Sequence, residues 1–128
     1  MPMSWRWTLP DDHSAEAEAR GHVGDTLAAW PNVEDIALVA SELTTNAIDY
    51  GSGVRALEIS LDDERARVLV SHAAEAGAPV PRHAGPDDDG GRGLALVAVL
   101  ADDWGWLLLN GRLSVWADFV KGGDQTDS

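Results

Sequence analysis

Between Gly51 and Val54 the hydrophobic period of this chain changes from helical to two. No other feature limits the fold so strongly. Upstream, Ile36, Val39, Ala40, Leu43 and Ala47 recur at three- and four-residue spacing, the stripe of an amphipathic helix. Asn32, after Pro31, makes a good N-cap with Asp35 in the first turn, and Gly51 stands as the stop after Tyr50. Downstream, Leu57, Ile59 and Leu61 alternate with Glu58 and Ser60. After the polar "DDER" the run "ARVLVSH" resumes the alternation, so the segment reads as a hairpin.

The remaining segments fit the same plan. "SWRWTL" puts Trp5, Trp7 and Leu9 on one face of a strand, and residues 11–30 read as a helix weakened by Gly21 and Gly24. Residues 72–90, rich in Gly and Pro and ending in an acidic triplet, form a long loop of the kind that is usually functional or disordered. "RGLALVAVLADD" reads as a short helix. "WGWLLL", Asn110-Gly111 and "RLSVWADFV" make a second hairpin through a type I′ turn. The expectation is one domain over residues 1–121, a two-layer α/β sandwich with a mixed, mostly antiparallel sheet and helices on one face, followed by a frayed tail over 122–128.

Composition narrows the function. Nine basic against 22 acidic residues give a formal charge of −13, which argues against nucleic acid and suits a basic protein partner. With no cysteine there is neither a disulfide framework nor a thiolate site. No apolar run has membrane-spanning length, and the N-terminus lacks a signal-peptide pattern, so a cytoplasmic protein is expected. There is no βαβ-embedded G-x-G-x-x-G, no G-x-S-x-G elbow and no credible triad. His72, His83 and Asp87 to Asp89 are poorly spaced for a metal.

Two stretches carry candidate chemistry. In "SELTTNAIDYG", Asn46 lies about 40° from Glu42 around the helix and Asp49 about 20° on the other side, at the border of the apolar stripe. A carboxylate there can act as a general base, and an amide oxygen is a hard neutral ligand suited to Mg²⁺. In "DDDGGRGLALV", Gly90, Gly91 and Gly93 precede a helix whose N-terminus favours an anion, with Arg92 able to supply charge.

Together, in this order, these stretches resemble the N-box and second glycine box of the GHKL ATP-binding superfamily, which shares the Bergerat fold. The likeness is strongest to stand-alone bacterial anti-sigma-factor serine kinases of the RsbW type. It implies Glu42 as general base, Asn46 as ligand of a Mg²⁺ ion bridging ATP, and Gly91, Arg92, Gly93 and Leu94 as the phosphate-holding loop. Residues 79–90 would correspond to a lid over the nucleotide. A sigma factor or an antagonist protein would be the partner, and homodimers are common among such kinases. The family's adenine-binding aspartate is replaced here by His72, read as a strand end half in solvent, with Gly77 several places on. Asp49 and Tyr50 stand where relatives often carry a basic residue and a histidine. These departures leave an alternative: a degenerate, non-enzymatic partner-switching module.

Overall fold

A computed structural model describes residues 2–74 and 92–121, Arg92 by its backbone alone. Within them the elements run β1 (Met3–Leu9), α1 (Ala15–Thr26), α2 (Val33–Tyr50), β2 (Ser52–Leu61), β3 (Arg65–Ala73), α3 (Arg92–Leu100), β4 (Asp103–Leu109) and β5 (Arg112–Val120). The strands form one sheet in the order β1-β2-β3-β5-β4, and every described pairing is antiparallel. This is the expected α/β sandwich, with no parallel pair among the described strands.

Alternation decides which face is covered. Leu57 and Ile59 on β2, Val68 and Val70 on β3, and Leu113, Val115, Ala117 and Phe119 on β5 are all buried. They meet Ile36, Val39, Leu43 and Ala47 of α2, which lies between α1 and α3 and rests on β2, β3 and β5. Each fully buried Ile, Leu or Val contributes about 1.5–3 kcal/mol, so this shared stripe fixes the register of helix on sheet. On the opposite face Arg67 bonds Asp118 at 2.7 and 2.9 Å and lies 4.3 Å over the Trp116 ring. Trp116 in turn covers Gly105, where a Cβ would fall 2.6 Å from Cζ2. Strands β1 and β4 are the sheet edges. On β4, Leu107 and Leu109 are more than half exposed.

Several boundaries differ from the sequence expectation, each for a local reason. Helix α1 begins at Ala15 because the Asp12 carboxylate accepts the Ser14 N–H at 2.8 Å and holds residues 11–14 in a turn. Asn32 occupies the cap position of α2, but its amide donates to the Val120 carbonyl at 3.1 Å and makes no side-chain cap. Helix α3 stops at Leu100, since Asp102 already bonds into β5, its N–H to Asp118 O and its carboxylate from Val120 N–H. The second hairpin turns as expected, with positive φ at Asn110 and Gly111. No helix among the described residues is long and apolar enough to cross a membrane.

Candidate functional site

Glu42 and Asn46 are both half-buried, one helical turn apart on α2, at the edge of its apolar stripe. Across from Glu42 stands Gly93, in the first turn of α3. A Cβ on Gly93 would fall 2.7 Å from Glu42 Oε1 and 3.6 Å from Glu42 Cβ. The carboxylate therefore lies directly against the glycine backbone, where only a residue without a side chain leaves room for it. The first N–H groups of a helix lack intrahelical partners and carry the positive end of its dipole, so α3 presents donors beside this carboxylate. Leu94 is turned the other way, 5% exposed and packed in the core. What it can offer an anion is its backbone N–H.

At the far end of α2 the reason for Gly51 differs from the expected one. Its φ is −104° and its ψ 179°, extended geometry open to any residue, so no left-handed stop is present. Instead a Cβ there would meet His72 Nδ1 at 2.5 Å and the Ala47 carbonyl at 2.6 Å, with His72 Cγ closer still. The imidazole lies on the glycine. His72 is only 5% exposed rather than half in solvent, because it occupies an inward position of β3, in phase with Val68 and Val70. Its Nδ1 is 2.8 Å from the Ala73 carbonyl, which can only accept, so Nδ1 carries the proton of that bond.

Sequence reasoning missed Arg55, which holds this corner together. It is 6% exposed, and its guanidinium donates to the carbonyls of Ala47 (3.0 Å), Gly51 (2.9 Å) and Gly53 (3.0 Å), and to the Asp11 carboxylate. The guanidinium thus ties the Ala47 carbonyl, which also accepts from Gly51 N–H, to the carbonyls of Gly51 and Gly53 just beyond the helix, and places a cation at the negative pole of α2. The signal was present in the alternation: Arg55 is in phase with Leu57 and Ile59, which points it inward.

Helix α1 borders the site from the other side. Glu16 Oε2 accepts from His13 Nδ1 at 2.7 Å and lies 2.9 Å from the Thr45 hydroxyl, while His13 Nε2 is 3.4 Å from Asp49. The bond to Glu16, helped by the nearby charges of Glu16 and Asp49, raises the His13 pKa above its ordinary 6.5. Burial alone would push Glu16 up, but the bonds from His13 and Thr45 win and hold it below 4.5. The His13 contribution is therefore complete below pH 6.5 and lost as pH rises through its raised value; that of Glu16 is present above pH 4.5 and lost as pH falls through its lowered one. Replacing His13 with alanine should flatten the fall in thermal midpoint as pH rises above 6.5. An unchanged slope would place the titration elsewhere.

The expected contributions of Gly77, Gly91 and the Arg92 side chain, together with the proposed lid over 79–90, His83, the acidic triplet and the tail, lie outside the described residues. Within them, α2 meets two different elements: Glu42, midway along it, lies against Gly93 of α3, and Gly51, at its C-terminal cap, lies against His72 of β3.

The family model described as a histidine kinase-like ATPase domain matches residues 12–114. A solved structure of the RsbU and RsbW domains of Rv1364c from Mycobacterium tuberculosis is similar in fold, with a TM-score of 0.70 at 16% identity. That likeness covers 98% of this chain and 35% of the other, so the chain spans about a third of the protein it resembles. No curated protein matches the sequence.

Proposed function

Because this chain belongs to the histidine kinase-like ATPase domain family, we propose that it binds Mg-ATP and acts as a regulatory serine/threonine protein kinase of the anti-sigma type, in the cytoplasm. The observation that carries this reading is the contact of the Glu42 carboxylate with Gly93 at the start of α3. A carboxylate able to act as a base lies against a helix N-terminus, the end that favours an anion, and phosphoryl transfer asks a protein chiefly for such positioning and charge stabilisation. The donor set also fits the metal. Asn46, half-buried one turn from Glu42, offers a neutral oxygen ligand. Mg²⁺ is usually held in just that way, by one or two protein groups and the substrate's phosphates.

In this reading Asn46 would hold the ion, which neutralises phosphate charge when bound. The amides of Gly93 and Leu94 orient the phosphates, and Glu42 takes the proton of an acceptor serine hydroxyl as that oxygen attacks the γ-phosphorus and the bond to the departing ADP breaks. A sigma factor and an antagonist protein are the partners this reading implies, and a strongly acidic chain suits a basic docking surface on either. A second reading, a partner-switching module without catalysis, is favoured by one feature: His72 brings no negative charge to the place of the family's base-binding aspartate.

Calorimetric titration with ATP tests the choice. Saturable binding should weaken at least tenfold in Asn46→Ala and when Mg²⁺ is chelated, the loss expected for one charge-assisted contact of about 1.5–3 kcal/mol. Absence of binding at millimolar ATP would favour the non-catalytic module.

A further inference from the structure

The two edges of the sheet are built differently. Strand β1 carries a cation, Arg6, and runs into Pro10, and both discourage further pairing. Strand β4 has neither. It pairs with β5 in unbroken register over seven residues, and from Trp104 to Leu109 it holds no charge and no proline. Leu107 and Leu109 are more than half exposed, and Trp106 is exposed beside them. An edge that lacks the usual protections needs a reason.

The backbone of β4 is turned outward in a regular way. The two-residue turn at Asn110-Gly111 closes on the pair Leu109–Arg112, which therefore exchanges hydrogen bonds, as do Leu107 and Gly105 with their partners on β5. Trp106 and Leu108 alternate with them, so their N–H and C=O groups point away from β5, to the side where no strand is described. The Trp104 amide faces the same way and is met by the Asp103 carboxylate at 3.0 Å. On the outer face of the sheet the Trp116 ring lies over Gly105, with Cζ2 at 2.6 Å from where a Cβ would stand. Arg67 holds that ring at 4.3 Å and is itself fixed by two bonds to Asp118. Glycine at this point lets an ordered indole reach over β4, on the same face as Leu107 and Leu109.

These features select the occupant. Donors and acceptors open at alternate residues fit an extended backbone, not a helix. The two leucines and the indole fit apolar side chains at every second position. Asp103, exposed at the start of β4, favours a cation at that end. A second copy would bring no cation on its own β4 to set against Asp103, and with it another charge of −13. We propose that β4 is a docking strand for an extended basic segment of a different protein. The segment joins the sheet beyond β4, with alternate apolar residues over Leu107 and Leu109 and a lysine or arginine beside Asp103.

Titration of the ¹⁵N-labelled full chain at low ionic strength with two synthetic peptides, KVTVTVTK and its acidic counterpart EVTVTVTE, tests this. The amide signals of Trp106 and Leu108 should move, and their hydrogen exchange should slow, with the basic peptide. The acidic peptide should bind about tenfold more weakly. Leu107→Lys, at a position open to solvent, should weaken the basic peptide about tenfold by placing like charge against it. Met3→Lys, equally exposed on β1, should leave binding unchanged. Should the Leu107 variant fail to fold, the two peptides on the unaltered chain decide. Equal binding of both peptides, equal loss in both variants, or no response at Trp106 and Leu108 overturns the assignment. Dimers in sedimentation that Leu107→Lys dissolves would give the strand to a second copy instead. No nucleotide enters these measurements, so their outcome is independent of the kinase reading.

Discussion

Replacing Glu42 with alanine or glutamine should lower phosphoryl transfer from ATP to a protein serine by about 10²–10⁴, the usual worth of a positioned general base, while Mg-ATP affinity changes little. The split follows from the geometry. Glu42 is half-buried against Gly93, and in the proposed reading it is one of several groups that would meet the phosphates, so binding should not depend on it alone. Transfer does, if the proton of the acceptor hydroxyl must leave as the oxygen attacks. Gly93→Ala approaches the same contact from the other side. Its Cβ would meet Glu42 Oε1 at 2.7 Å, the mobile end of a flexible chain, so folding should survive while the carboxylate is displaced. Single-turnover transfer and equilibrium binding, measured on all three variants, separate the two effects. Unchanged transfer in Glu42→Gln would remove the residue from the chemistry.

Gly51→Ala should destabilise the fold by about 3 kcal/mol, at the upper end of what overpacking costs, and lower the thermal midpoint by about 10 °C. The new methyl has nowhere to go. One side is the His72 ring and the other is the Ala47 carbonyl, itself tied to Arg55 at 3.0 Å. Asparagine discriminates between explanations. A glycine kept for a left-handed backbone tolerates Asn, but φ here is −104° and the obstacle is bulk, so Gly51→Asn should cost at least as much as alanine. In a His72→Ala background the penalty should shrink, because one of the two obstacles has been removed. An equal penalty in both backgrounds would show that the ring does not set the constraint.

Elements were more legible than contacts. The hairpins, the long helix and the Asn110-Gly111 turn could be read because each is written in adjacent residues: a period of two, a period near 3.6, a dipeptide that accepts positive φ. The closeness of Glu42 and Gly93 was suggested by their boxes, and the coordinates bring them together. What escaped were pairings between residues distant in sequence. Gly51 looks like a helix stop until β3 delivers His72 onto it. Asn32 looks like a cap until β5 presents the Val120 carbonyl. Arg55 was hidden for another reason: arginine is expected outside, and only its phase within β2 says otherwise. Residue type and residue position disagreed there, and position prevailed because three carbonyls and a carboxylate were waiting for the guanidinium.

The apolar rim formed by β4 bears on how the molecule behaves in company. From Trp104 to Asn110 that margin carries no charge, and Leu107 and Leu109 lie open to water at 56% and 58%. Unguarded margins of this kind invite lateral addition of another chain. The thirteen surplus negative charges keep like molecules at a distance, and that protection fades as ionic strength shortens the reach of their field. Colloidal stability is thus borrowed from the whole surface rather than built into the strand, so concentrated stocks belong in dilute buffer well above the isoelectric point of about 4.3.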